Sequence, residues 1–125
     1  MELRHKALSE SIIGAAIEVH KAMGPGLLES IYEECLVMEL KLRGHTLVQQ
    51  KAIPLWYKGF NLSGNYRLDL LVDDTVILEI KTVEKILPVH EAQLLAYLRL
   101  AEKNLGFVMN FNVRHMKDGI KRMVL

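Results

Sequence analysis

The sequence predicts one α/β domain, residues 1–125, whose helices and strands follow in the order α-α-β-β-β-α-β. Two segments near the start carry apolar residues at three- and four-residue steps, which is the period of an amphipathic helix. Three extended segments follow, and another helix then precedes a further extended segment. A chain of 125 residues, 50% of them hydrophobic, can bury about two-thirds of its unfolded surface, which favours a single core.

The first two elements are predicted to be a pair of helices. The first covers residues 7–23 and ends at Gly24-Pro25-Gly26, because proline lacks a donor and glycine tolerates the left-handed cap geometry. The second begins close behind Gly26 and carries an apolar stripe to Arg43, with Gly44 as its C-cap. We expect the two helices to pack antiparallel or at an angle.

The remaining elements are predicted to be strands with one helix among them. The strands are residues 46–57, 60–72, 76–81 and 107–113, followed by a short last piece at 123–125. Lys58-Gly59 is a turn signal that makes a hairpin of the first two strands. Pro88 opens a helix over residues 89–103, since proline is favoured in the first turn.

Charge and cysteine content limit the kinds of ligand site and the cellular setting that the sequence predicts. Charged residues make up 25% of the chain and the net charge is +1, so any site for a polyanion must be local. The single cysteine, Cys35, cannot form an internal disulfide, and the first residues contain no apolar stretch long enough for a signal peptide. No segment approaches the ~18 apolar residues of a membrane span. We therefore expect a cytoplasmic protein without a membrane partner.

The strands at 67–72 and 76–81 carry the most informative pattern. Side chains alternate between the two faces of a strand, and opposed residues of an antiparallel pair point the same way. A three-residue connection at 73–75 pairs Val72 with Val76 and places Asp69 opposite Glu79. A two-residue connection would pair Asp69 with Leu78 and mix charged with apolar groups, so the odd-length turn is favoured.

That register separates apolar from charged side chains. One face is entirely aliphatic, with Leu68, Leu70, Val72, Val76, Leu78 and Ile80. The other face holds Arg67, Asp69, Glu79 and Lys81.

Two opposed carboxylates, with Cβ atoms roughly 5 Å apart, repel each other unless a cation or a proton lies between them. Mg²⁺ prefers oxygen ligands and binds through one or two carboxylates plus water and phosphate, so it suits Asp69 and Glu79 better than zinc. Lys81 would orient or deprotonate an attacking water, or offset negative charge in the transition state. On these residues alone, a surface salt-bridge ladder on a half-exposed sheet is the simpler interpretation of the trio.

Two helices carry further polar pairs. Glu29 and Tyr32 lie one turn apart at the start of the second helix, where the helix dipole also favours a glutamate. Gln93 and Tyr97 form an i, i+4 pair on the third helix.

Taken in this order, these motifs resemble the GxxExxY family, which is assigned to the PD-(D/E)XK nuclease superfamily. Gly26, Glu29 and Tyr32 match its naming motif. Asp69, Glu79-Ile80-Lys81 and Gln93-xxx-Tyr97 match the motif order of the superfamily's bacterial exonuclease branch. The resemblance spans about residues 5 to 115, and it departs from the superfamily name at Leu68, where the name has proline.

The resemblance implies a restriction-endonuclease-like core, a mixed central sheet flanked by helices. It implies hydrolysis of phosphodiester bonds, in DNA, by metal-activated water, with Mg²⁺ as cofactor and Mn²⁺ able to substitute. The implied catalytic residues are Lys81, Glu79, Asp69 and Glu29. The implied metal ligands are Asp69, Glu79, Glu29 and the backbone carbonyl of Ile80. Substrate would be positioned by Gln93, Tyr97 and Tyr32.

Other interpretations stay open. The weak net charge also suits a catalytically silent nuclease-fold module that binds nucleic acid or a partner protein, and a homodimer could be needed to grip a duplex. Trp56 and Tyr57 could stack on bases or simply pack. The histidines have no ligand spacing, and His20 and His90 are the best placed of them to line a cleft. Several basic residues could meet phosphates or be solvated, with the C-terminal group the best candidate for a basic patch: Lys85, Arg99, Arg114, Lys117, Lys121 and Arg122.

Overall fold

A computed structural model describes residues 5–125. Two helices, a run of strands, a third helix and further strands follow one another as predicted, but five strands rather than three precede the third helix. The helices are α1 (Lys6–Met23), α2 (Glu29–Leu42) and α3 (Pro88–Leu100), with a short 3₁₀ turn at Met116–Gly119. The strands are β1 (Leu47–Ala52), β2 (Trp56–Tyr57), β3 (Phe60–Asn61), β4 (Arg67–Val72), β5 (Val76–Lys81), β6 (Leu105–Asn110) and β7 (Ile120–Val124).

Five of the strands form one mixed sheet. Their order across the sheet is β1-β4-β5-β6-β7. Strands β5 and β6 are parallel, and the other neighbouring pairs are antiparallel. A parallel pair needs a crossover connection, and α3 supplies it between β5 and β6. The predicted fold class, a mixed sheet flanked by helices, is confirmed.

Helices cover both faces of the sheet and make two apolar clusters. Helices α1 and α2 pack on one face, and α3 packs on the other. The α1/α2 cluster includes Ile12, Val19, Tyr32, Leu36, Leu70, Leu78, Ile80, Phe107 and Phe111. The α3 cluster comprises Ile53, Leu68, Leu71, Ile77, Leu94, Leu98 and Val108. Because β5 lies between its neighbours and is covered on both faces, side chains near its end are held in fixed positions.

The predicted long hairpin is interrupted. Strand β1 pairs with β4, whereas β2 and β3 form a separate two-stranded hairpin beyond Pro54. Proline cannot donate to a ladder, which accounts for the break. Lys58 and Gly59 connect β2 to β3 with φ angles of 47° and 85°. Two left-handed residues in a two-residue connection are typical of a type I′ turn, so the predicted turn position is right.

Several element boundaries differ from the prediction. Helix α2 begins at Glu29 rather than directly behind Gly26, and α3 ends at Leu100. Strand β6 ends at Asn110 instead of continuing to residue 113, because the Asn110 side chain bonds the amide and carbonyl of Val83. Those bonds tie the ends of β5 and β6 together. No helix among residues 5–125 is long and apolar enough to cross a membrane.

Gly119 is required where the chain enters β7. A Cβ atom there would collide with the backbone carbonyl of Asn110 and lie 3.0 Å from Val113 Cγ2. We expect Gly119→Ala to lower the free energy of unfolding by about 3 kcal/mol or more, because the backbone must shift. Gly64→Ala is the matched control, since an added Cβ there meets nothing within 4 Å. Urea denaturation checks both, and equal stability of the two variants would contradict the expectation.

Candidate active site

Strands β4 and β5 separate at the position of the two predicted carboxylates. The ladder pairs Val72 with Val76 and Leu70 with Leu78, which confirms the predicted register. At the next position, side-chain carboxylates accept the hydrogen bonds of backbone amides in place of backbone carbonyls. The Asp69 amide donates to Glu79 Oε2 at 2.9 Å, and the Ile80 amide donates to Asp69 Oδ2 at 2.8 Å. Both carboxylates therefore lie in the gap between the strands.

The prediction of one uninterrupted aliphatic face is wrong at Leu68. That side chain packs in the α3 cluster with Leu71 and Ile77, not with Leu70 in the α1/α2 cluster. The departure coincides with an irregular position in the neighbouring strand, where Gln50 has a φ angle of 50°, in the left-handed region that few non-glycine residues adopt. Gln49 pairs with Leu70 and Lys51 with Leu68, and Gln50 and Asp69 between them are left out of the β1–β4 pairing.

Glu79 is a buried carboxyl with too little compensating charge. Its residue is 5% exposed. Burial and the neighbouring Asp69 carboxylate raise the pKa of Glu79 from 4.5 to about 8, against the opposing effects of the Asp69 amide and Lys81. Its Oε1 accepts no hydrogen bond from the residues that the structure describes. A carboxylate with one bonded and one unbonded oxygen can still bind a proton or a cation.

Lys81 and Glu29 approach the same gap. Lys81 is half-buried, and its ammonium lies near enough to Glu79 and Glu29 to favour their ionised forms. Partial burial nevertheless raises the pKa of Glu29, and Asp69 adds to the effect. Within residues 5–125, the four ion pairs closer than 4.0 Å leave Lys81 out. Lys81 therefore lies beside the carboxylates of the described residues without forming a close ion pair with any of them.

Helix α3 brings Gln93 and Tyr97 to the opposite side of the gap. Gln93 Nε2 donates to the Tyr97 hydroxyl at 2.8 Å. Burial raises the pKa of Tyr97, and the charges of Glu79 and Asp69 raise it further. The phenol is thus close enough to the carboxylates to feel them, as its place in the predicted site requires.

Arg67 does not join the site. Its Nη1 donates to the backbone carbonyl of Gln50 at 3.0 Å, and the residue is exposed. Its role is to hold β1 against β4.

Tyr32 is also placed differently from the prediction, which had it position substrate. Its ring is fully buried and stacks on Phe111 at 4.6 Å between centroids. Its hydroxyl donates to the Gly24 carbonyl and accepts from the Leu27 amide at 3.1 Å. A phenol that is buried and whose hydroxyl already makes two hydrogen bonds cannot touch substrate. Tyr32 instead fixes the turn that leads into Glu29.

We expect Tyr32→Phe to lower the free energy of unfolding by about 1–3 kcal/mol, because Gly24 and Leu27 would lose a partner in a partly buried turn. Tyr57→Phe, at an exposed tyrosine, is the control and should change stability little. Thermal and urea unfolding measure both, and a Tyr32→Phe protein as stable as the control would refute the assignment.

A family model of the PD-(D/E)XK nuclease superfamily matches residues 6–123. The chain belongs to the PD-(D/E)XK nuclease superfamily. No match was found among curated proteins or among solved structures. Proteins of this superfamily generally use divalent metal ions.

The donor set of this PD-(D/E)XK chain fits a sparsely held divalent cation. Among residues 5–125, no three His, Cys, Asp or Glu side chains are arranged so that they could hold a metal ion. Glu29, Asp69 and Glu79 therefore do not form a closed three-carboxylate cluster. Two carboxylates in one gap, with Oε1 of Glu79 unbonded, are the kind of site that Mg²⁺ completes with water and substrate phosphate.

Two glutamines that the sequence motifs did not indicate lie beside the candidate site. Gln50 Nε2 contacts Asp69 Oδ1 at 3.3 Å and Glu33 Oε1 at 2.9 Å. Gln49 bonds the other oxygen of Glu33 at 3.1 Å. The only signal in the sequence was a pair of glutamines inside an extended segment. These bonds orient Asp69 from the β1 side.

The small β2–β3 hairpin extends away from the sheet with its aromatic side chains uncovered. Trp56 is 63% exposed and Tyr57 59% exposed, and Lys58 Nζ lies 5.3 Å from the centre of the Tyr57 ring. Neither aromatic is a core residue, so the packing alternative for them is wrong. Base stacking by this hairpin stays a prediction.

Proposed function

We propose that this PD-(D/E)XK protein is a metal-dependent nuclease of the GxxExxY type that hydrolyses phosphodiester bonds in DNA through metal-activated water. The observation that carries the proposal is the pair of carboxylates in the gap between β4 and β5, with Lys81 beside them. Burial beside Asp69 raises the pKa of Glu79 to about 8, so keeping this carboxylate ionised in the fold costs free energy. That cost is typical of a functional site.

Asp69, Glu79 and the Ile80 backbone carbonyl are proposed to hold Mg²⁺, or Mn²⁺ in its place, with Glu29 nearby. When bound, the ion would lower the pKa of a water molecule and offset charge on the phosphate. Lys81 keeps its ammonium next to the carboxylates and stabilises negative charge that develops on the phosphoryl oxygens. Glu29 lies on the α2 side, near enough to Lys81 for the charge of the lysine to favour the ionised glutamate.

Gln93 and Tyr97 are proposed to position the scissile phosphate from the α3 side. Their mutual hydrogen bond fixes both side chains, and Tyr97 lies near Glu79 and Asp69. An amide and a phenol are donors that can orient a phosphate oxygen without adding charge. The chain's small net charge of +1 makes such neutral contacts important.

A cleavage assay tests the proposal. Labelled single-stranded, duplex and branched DNA, and RNA, are incubated with Mg²⁺, Mn²⁺ or EDTA. We expect cleavage of DNA that requires a divalent metal and is lost in Glu79→Ala and Lys81→Ala proteins. Cleavage that survives both substitutions would refute the site. Absence of cleavage on every substrate would favour the alternative of a silent module that binds nucleic acid or a partner protein.

A further inference from the structure

A second site is suggested by a cavity of about 460 Å³ beside the end of α1. Five of its nine lining residues carry basic side chains, namely His20, Lys21, Arg114, His115 and Lys117, and none of the nine is acidic. The whole chain has 16 Lys and Arg against 15 Asp and Glu. The cavity therefore concentrates positive charge that the overall composition does not show.

The charges in the cavity are available to a ligand. Lys21, Arg114 and Lys117 are exposed. The ion pairs found within residues 5–125 involve none of these three side chains. Arg offers a planar fork of donors that matches a phosphate, and Lys offers a compact charge. A group of unpaired cations around a concave space is suited to an anion.

The walls of the cavity are held in place by buried contacts. His20 is 8% exposed, and its Nε2 lies 2.7 Å from the Val113 carbonyl, which ties α1 to the loop after β6. The Tyr32 hydroxyl holds the carbonyl of Gly24, another lining residue. Gly119 lies tightly against Asn110 at the far end of the same loop. The fold therefore sets the backbone positions from which the basic side chains extend.

The cavity lies at the same end of the sheet as the candidate active site. Gly24 and Pro25 precede Glu29, the first residue of α2. Arg114 and Lys117 follow β6, whose last residue, Asn110, pairs with Lys81. One connected edge of the molecule thus carries the cavity, Glu29 and Lys81.

We infer that this cavity binds a phosphate group of the nucleic-acid strand whose neighbouring phosphodiester lies at Asp69 and Glu79. The choice of a nucleic-acid strand as the ligand rests on the proposed function. The expectation that the cavity binds an anion rests on its basic side chains alone. Phosphate contacts of this kind position a strand and carry no sequence information. The cavity would supply the local basic surface that the near-zero net charge of the chain otherwise lacks.

The test measures binding of a fluorescent single-stranded oligonucleotide in EDTA, so that cleavage cannot contribute. The cavity variant is Lys21→Gln/Arg114→Gln/Lys117→Gln. The control, Lys6→Gln/Lys41→Gln/Lys103→Gln, removes the same charge at the opposite end of the sheet, where Lys103 bonds Asp74 in the β4–β5 turn. Lys117→Glu alone is a second cavity variant, and thermal melting checks that each protein is folded.

We expect the cavity variant to bind at least tenfold more weakly at ~0.1 M salt, with a salt slope smaller by about 0.7, since each phosphate contact contributes ~0.7 on single strands. The control should bind within about twofold of the wild type. Inorganic phosphate should compete with the oligonucleotide in the wild type. If the cavity and control variants bind alike, the inference is overturned. If the cavity substitutions weaken the binding of inorganic phosphate but not that of the oligonucleotide, the assignment of the cavity to a nucleic-acid strand is overturned.

The outcome is separable from that of the proposed function. Strand binding that needs the cavity, in a protein that cleaves no substrate, would refute the nuclease and leave the cavity site standing. If the cavity substitutions change neither cleavage nor strand binding, the cavity site is refuted and the nuclease proposal stands. Absence of oligonucleotide binding by the wild type would overturn the cavity assignment directly.

Discussion

Replacing Lys81 with methionine is expected to lower the rate of metal-dependent DNA cleavage by about two to three orders of magnitude. Loss of a single group that stabilises transition-state charge typically costs 10²–10³ in rate, and Lys81 lies two residues from Glu79 on β5. Methionine keeps the length and the apolar stem of the side chain while removing its charge. The proposed metal ligands Asp69 and Glu79 are unchanged, so metal binding should persist.

Single-turnover kinetics at saturating Mg²⁺ measure this effect. Lys41→Met, an exposed lysine in the last turn of α2, is the control and should cleave like the wild type. A Lys81→Met protein that cleaves within about tenfold of the wild type would exclude the lysine from the chemistry. Loss of both cleavage and metal binding would show that Lys81 acts by organising the site.

Replacing Glu79 with glutamine is expected to stabilise the metal-free protein at alkaline pH. The pKa of Glu79 rises from 4.5 to about 8 on folding, because of burial and the adjacent Asp69. Between these values the folded protein holds a proton that the unfolded chain has released. The free energy of unfolding therefore falls as pH rises, and this contribution, full below pH 4.5, is lost by about pH 8.

Glutamine retains an oxygen that can accept the hydrogen bond from the Asp69 amide, but it has no charge to bury. We expect Glu79→Gln to exceed the wild type in unfolding free energy by on the order of 3 kcal/mol above pH 8.5 in EDTA, and to match it near pH 4.5. Urea denaturation across this pH range is the measurement, with Glu10→Gln, at an exposed glutamate, as the control. A difference that does not grow with pH would show that Glu79 is ionised without cost in the fold.

The strand register and the acidic pair could be predicted from the sequence because both depend on a period of two. Only one connection length places apolar residues together, and the observed Val72–Val76 pairing follows it. Leu68 departs from that alternation, at the level of the sheet where Gln50 in the neighbouring strand has a left-handed backbone. No hydrophobic pattern encodes that conformation.

The environment of the motif residues could not be predicted, because it depends on contacts between distant segments. Tyr32 belongs to a motif that suggests chemistry, yet its ring stacks on Phe111 and its hydroxyl bonds the preceding turn. The basic cavity likewise brings Lys21 next to Arg114, which are far apart in the chain. Composition reports their charge but not their convergence.

The central claim is that Asp69 and Glu79 share a divalent metal ion, and calorimetric titration of Mn²⁺ at pH 8.5 tests it most directly. The wild type should bind one Mn²⁺ per chain, and Asp69→Asn should abolish that binding while leaving the fold intact by circular dichroism. Equal binding by the wild type and Asp69→Asn, or no binding by either, would contradict the account.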